Sequence, residues 1–144
     1  MEGDGYARLP TLLPPRERRG LILIDPPYED AGEFRLAAEA LAAACRRFAT
    51  GIYMLWFPIK SQAAADAFCG EVLAGGIARL ARIDIAVAPP SDTRLTAAGL
   101  LVVNPPYGFD EEMRACARIV APKLGGTARF PTRFDVRWLA GEGL

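Results

Sequence analysis

The chain has 144 residues, 51% of them hydrophobic, enough for one domain with its own core, which excludes a purely disordered chain. Lys and Arg number 17 and are balanced by 17 Asp and Glu, so composition gives no global basic footprint for a polyanion, and any grip on nucleic acid must be local. The three cysteines, Cys45, Cys69 and Cys116, have no CxxC spacing and histidine is absent, which argues against a metal site, a disulfide framework and a His-based triad.

No apolar run approaches the roughly 20 residues that span a bilayer, and Met1-Glu2-Gly3-Asp4 lacks the regions of a signal peptide, so a reduced, cytoplasmic protein without membrane contact is expected. Residues 1–20, with Pro10, Pro14 and Pro15, read as a connector from something earlier, and residues 21–144 as the domain itself. Leu21 to Ile24 is a continuous apolar run closed by Asp25-Pro26-Pro27, the pattern of a strand covered on both faces in a parallel sheet. From Glu33 to Phe48, the apolar residues Phe34, Ala37, Leu41, Ala44 and Phe48 recur at intervals of three or four, which predicts an amphipathic helix. Ile52 to Phe57 is a second strand stopped by Pro58, and Ser61 caps a helix running to about Ala74. Alternating strand and helix call for parallel pairing with crossover helices. Ala78 to Ala88 and Leu100 to Val103 then follow with no helix between them, which predicts an antiparallel hairpin. Asp110 caps a further helix through Val120, Gly125-Gly126 ends it, and Phe130 to Leu139 forms a last strand. A parallel sheet finishing in an antiparallel hairpin outlines an α/β chain, the C-terminal half of a Rossmann-like class I methyltransferase fold.

In an open α/β sheet, ligands collect beyond the carboxyl ends of parallel strands, and Asp25 is the first residue past such an end. An exocyclic ring amine is a poor nucleophile because its lone pair is delocalised, so an enzyme that methylates it must hold both N–H groups and accept a proton. Asp25 supplies one acceptor, and the carbonyl of Pro26, stiffened by Pro27, supplies a second. Tyr28 offers a flat face for a flipped-out base, worth roughly 1–3 kcal/mol by analogy with other stacking contacts. The competing reading is a rigid turn in which Asp25 caps the next helix and Tyr28 covers apolar surface. The strand before the motif favours the chemical reading.

Asn104-Pro105-Pro106-Tyr107 also follows an apolar strand. If Leu100 to Val103 is the returning strand of the hairpin, however, Asn104 falls at the opposite edge and its tetrad is a structural turn. Arg46, Arg47 and Arg94 read as solvated surface. Lys60 is the basic residue of most interest for substrate, because it lies just past the second parallel strand, on the edge that carries Asp25. The cysteines read as buried or half-buried small residues, and Trp56 and Trp138 as core.

Gly3-Asp4-Gly5, Leu12-Leu13-Pro14-Pro15, Glu17-Arg18-Arg19-Gly20, Leu21 to Glu29, Arg47 to Gly51, Trp56 to Lys60, Asp92, Thr96 to Gly99 and Asn104-Pro105-Pro106 together closely resemble the RlmJ-type family, over nearly the whole chain. These are large-subunit ribosomal RNA adenine-N6 methyltransferases using S-adenosylmethionine, and some are linked to the use of external DNA as a nutrient. The resemblance implies that Asp25 is catalytic and touches the cofactor, and that Asp4 and Gly5 contact the cofactor. It also implies a missing N-terminal half, with the first strands and the glycine-rich cofactor loop, which leaves an apolar flank on the Leu21 to Ile24 strand. Poor solubility, an edge-paired dimer or a partner supplying that half is then expected. Guanine-N2 or cytosine-N4 methylation poses the same chemical problem and is the alternative among enzymes; a truncated, non-catalytic binding domain is the alternative outside them.

Overall fold

The unbroken apolar runs and their proline stops produce a five-stranded mixed sheet, seen in a computed structural model that describes residues 5–30, 32–91 and 93–141. A short helix α1 (Gly5–Arg8) and a 3-10 turn (Leu9–Leu12) precede β1 (Leu21–Ile24), and α2 (Glu33–Arg47), β2 (Ile52–Pro58) and α3 (Gln62–Ala74) follow. The hairpin strands β3 (Leu80–Ala86) and β4 (Ala97–Val103), then α4 (Phe109–Val120) and β5 (Arg133–Ala140), complete the order. The strands lie side by side as β1-β2-β4-β3-β5. β1 runs parallel to β2, with Ile24 beside Leu55, whereas β4 is antiparallel to both β2 and β3, and β5 is antiparallel to β3. One sheet edge therefore collects the ends of β1, β2 and β3 and the beginnings of β4 and β5.

Alternation along β2 decides which side chains meet the core. Tyr53, Leu55 and Phe57 are fully buried and pack with Leu41 of α2 and with Phe68 and Val72 of α3. Removing water from side chains of this size contributes about 1.5–3 kcal/mol each. Gly99 is required opposite Phe57, since a Cβ there would fall 2.1 Å from the ring. Ser61 caps α3 as its position predicts: its backbone is extended and its Oγ accepts from the Ala64 N–H at 3.2 Å.

The other face is thinner. Phe109 and Met113 of α4 pack against Ile83, Val102 and Val136, and no residue of α4 is fully buried. Leu21 and Leu23 remain 65% and 67% exposed. β1 is thus not covered on both faces, because it is the edge strand and α4 sits over the far half of the sheet. Asp110 does not cap α4 either. Gly108, with a left-handed φ of 73°, makes the turn into the helix, and Asp110 lies in the first turn, where its carboxylate accepts from Arg114 at 2.6 Å. That bond holds its pKa below the usual carboxylate value. Trp56 and Trp138 are half-buried rather than core, and Cys116, on the solvent side of α4, is exposed.

Among the described residues one charged side chain is buried. Arg82 on β3, 1% exposed, donates to Asp84 at 2.7 Å, to Asp66 at 2.6 Å and to Gln62 at 3.1 Å. Burial alone would lower its pKa, and the bonds to Asp84 and Asp66 more than reverse that, so the guanidinium stays charged and pins the first turns of α3 to β3.

Candidate active site

β1 stops at Ile24 because Pro26 and Pro27 have no N–H for the ladder, which leaves Asp25 exposed at the carboxyl end of the strand. Its carboxylate accepts no hydrogen bond among the described residues. Asp25, Pro26 and Pro27 line a pocket of about 570 Å³ together with Gly5, Leu9 and Leu36. The carboxylates of Asp30 and Glu33 line it too, and among the described residues no Lys or Arg does. Tyr6 of α1 reaches across and donates its hydroxyl to Glu33 at 3.1 Å, tethering the first helical turns to the start of α2. Gly5 therefore lies at the pocket beside Asp25, with open space where a Cβ would stand. Asp4 and Asp92 lie outside the described residues.

Tyr28 takes a left-handed φ of 53°, a conformation costly for a bulky side chain, and its surroundings hold it there. Its hydroxyl donates to the Trp56 carbonyl at 2.8 Å. The ring packs 4.5 Å from Phe34 and 6.0 Å from Trp56, between centroids. Burial, with Tyr6, Glu33 and Asp25 nearby, pushes the phenol well above its ordinary pKa, so it stays a neutral donor. The half-buried ring braces the Pro-Pro turn against β2.

Lys60 is exposed two residues past β2, on the edge that carries Asp25. Asn104 is at the opposite edge: its amide donates to the carbonyls of Ala49 and Gly51, both at 2.8 Å, and ties the end of β4 to the turn before β2. Arg47 is occupied as well, donating through two nitrogens to the Leu13 carbonyl at 3.2 Å, while Arg46 and Arg94 are exposed. No cluster of metal-ligating side chains occurs among the described residues, and no helix among them is long and apolar enough to cross a membrane.

The family model described as "Ribosomal RNA large subunit methyltransferase D, RlmJ" matches residues 1–139. The chain belongs to the RlmJ family. It is 42% identical over 113 residues to ribosomal RNA large subunit methyltransferase J of Escherichia coli K12, and 39% identical over 112 residues to that of Haemophilus influenzae Rd. Those alignments cover 78% and 77% of this chain but only 40% of each relative. A solved Legionella pneumophila protein of the family DUF519 is similar over 94% of this chain and 49% of its own, with a TM-score of 0.82 and 30% identity. The chain thus spans about half the length of that structure and less of the curated relatives.

Within this RlmJ-family chain, the structure brings Asp25, Pro26, Pro27 and Gly5 to one pocket, holds Tyr28 behind them, and leaves Lys60 farther along the same edge. Sequence reasoning missed Tyr6, Asp30 and Glu33. Glu33 opens α2 and reads locally as a first-turn acid, and nothing in the pattern shows that Tyr6 would meet it 27 residues away.

Proposed function

We propose that this chain carries the target-amine half of an S-adenosylmethionine-dependent adenine-N6 methyltransferase acting on ribosomal RNA, built on a Rossmann-like class I methyltransferase fold. The observation that carries this reading is Asp25-Pro26-Pro27-Tyr28 at the carboxyl end of a strand parallel to its neighbour, opening on a pocket lined, among the described residues, by three carboxylates and no cation. In this role Asp25 accepts one hydrogen of the amine and the Pro26 carbonyl accepts the other, while Tyr28, offered by its sequence position as a stacking face for the base, also fixes the turn that aims them through its bond to Trp56. Lys60 meets the RNA from the same edge. When bound, the donor supplies a methyl group carried on a sulfonium. The pocket fits such a group: Asp25, Asp30 and Glu33 give a cation-favouring field and acceptors for hydroxyl or ammonium hydrogens, Leu9 and Leu36 give an apolar wall, and Gly5 gives close backbone approach.

Calorimetric titration with S-adenosylmethionine and with its demethylated product tests the reading. The chain would be titrated alone and fused to the upstream half of the Escherichia coli relative. The fused form is expected to bind both ligands. If neither form binds either ligand, the methyltransferase reading fails.

A further inference from the structure

A second pocket, of about 300 Å³, opens on the same sheet edge, beyond Lys60. Its position follows from the register. Ala86 ends β3 beside Ala97, which begins β4, and beside Arg133, which begins β5, so Thr96 and Arg133 reach the edge that carries Asp25 and Lys60. With strands spaced about 4.8 Å apart, the backbone at Arg133 lies roughly 14 Å from that at Lys60 and roughly 19 Å from that at Asp25 along the edge.

The lining of this pocket differs in kind from that around Asp25. Its carboxylates are already engaged: Asp84 accepts from Arg82 at 2.7 Å and from Arg137 at 3.4 Å, and Asp135 from Arg137 at 3.3 Å. Lys60 and Arg133 have no acidic partner among the described residues. The Arg133 guanidinium lies 4.7 Å from the centre of the Phe130 ring. That ring is held by a tight turn in which the Thr127 and Phe130 N–H groups donate to each other's carbonyls at 2.8 and 3.1 Å. Gly126 permits the turn, since a Cβ there would fall 2.4 Å from the Thr132 nitrogen. Thr96, only 7% exposed, lines the pocket with a hydroxyl that has no hydrogen-bond partner among the described residues.

From this geometry we infer a flanking-nucleotide subsite: the pocket bounded by Lys60, Thr96, Phe130 and Arg133 holds single-stranded RNA next to the base presented to Asp25. Unpaired cations at either end suit phosphates, the Thr96 hydroxyl suits a phosphate or ribose oxygen, and the Phe130–Arg133 pair is a stacking surface for a neighbouring base. The Arg82 network keeps the Lys60–Ser61–Gln62 wall in place by fixing α3 to β3. The inference rests on the methyltransferase reading for the identity of the ligand, and on this pocket alone for the place.

Fluorescence anisotropy of a labelled single-stranded RNA pentanucleotide with a central adenine, titrated with the chain, tests it. Arg133→Ala is expected to weaken binding on the order of tenfold and to lower the salt slope by about one. Thr96→Val keeps the shape and is expected to weaken binding several-fold, with unchanged circular dichroism showing that the fold survives. Arg46→Ala, an exposed cation at the far end of α2, is expected to leave affinity unchanged. An RNA that fails to bind, equal affinities for wild type, Arg133→Ala and Thr96→Val, or an equal loss in Arg46→Ala would each overturn the subsite. Donor binding by the fused form together with any of those results would remove the subsite and leave the methyltransferase reading standing.

Discussion

Asp25-Pro26-Pro27-Tyr28 and Asn104-Pro105-Pro106-Tyr107 are nearly the same peptide placed after nearly the same kind of strand, yet they end in opposite situations. β1 runs with β2 and delivers Asp25 to the edge that carries Lys60 and Arg133, whereas β4 runs against β2 and delivers Asn104 to the other edge. Asn104 spends its amide hydrogens on the Ala49 and Gly51 carbonyls, while the Asp25 carboxylate accepts no hydrogen bond among the described residues. The tyrosines divide the other way: Tyr28 is packed and hydrogen-bonded, and Tyr107 is 88% exposed. Strand direction assigns the chemical role of a short motif as much as its residues do.

The largest expected effect separates the two tetrads by activity. In the fused form, Asp25→Ala is expected to lower methyl transfer from a radiolabelled donor by roughly 10²–10⁴-fold with little change in stability, and Asn104→Ala to leave transfer per folded molecule intact. Asn104→Ala should instead destabilise by about 1–3 kcal/mol in urea titrations, because it leaves two backbone carbonyls without their donor. An Asn104→Ala protein of full stability and no transfer would invert the comparison.

Alkaline pH probes the corner that Asn104 anchors. Tyr53 donates to the Ala44 and Phe48 carbonyls in the same turn, and burial pushes its pKa from 10.0 up to about 12. A raised phenol pKa stabilises the folded chain fully below pH 10, and that contribution is lost as pH rises toward about 12. Melting temperature is expected to fall over this window. Tyr28, also raised, adds to the fall, and Tyr28→Phe should make it shallower. Smallest is the tyrosine pair: Tyr28→Phe is expected to cost about 0.5–1.5 kcal/mol through the lost bond to Trp56, and Tyr107→Phe less than about 0.5 kcal/mol. Equal effects at the two positions would show that Tyr28 does not brace its turn.

Exposed Leu21 and Leu23 on an edge strand carry one more expectation, self-association through β1. Analytical ultracentrifugation of the chain checks it, and Leu23→Lys is expected to shift the distribution toward monomer.

Local sequence determined most of the elements here. Apolar runs closed by prolines give β1 and β2, three-and-four spacing gives α2, and an extended Ser61 gives the start of α3. It also placed Asp25 past a strand end and separated it from Asn104, because an antiparallel return follows when no crossover helix lies between β3 and β4. Local pattern could not show that Gly108, with its left-handed φ, rather than Asp110 turns the chain into α4, since both suit a helix start. Nor could it show the Tyr6–Glu33 tether, the Arg82 network or the meeting of Lys60, Thr96 and Arg133, which depend on register and strand order across the sheet. Periodicity reports which face of one element is apolar; which distant residues share a pocket is decided only when several elements pack at once.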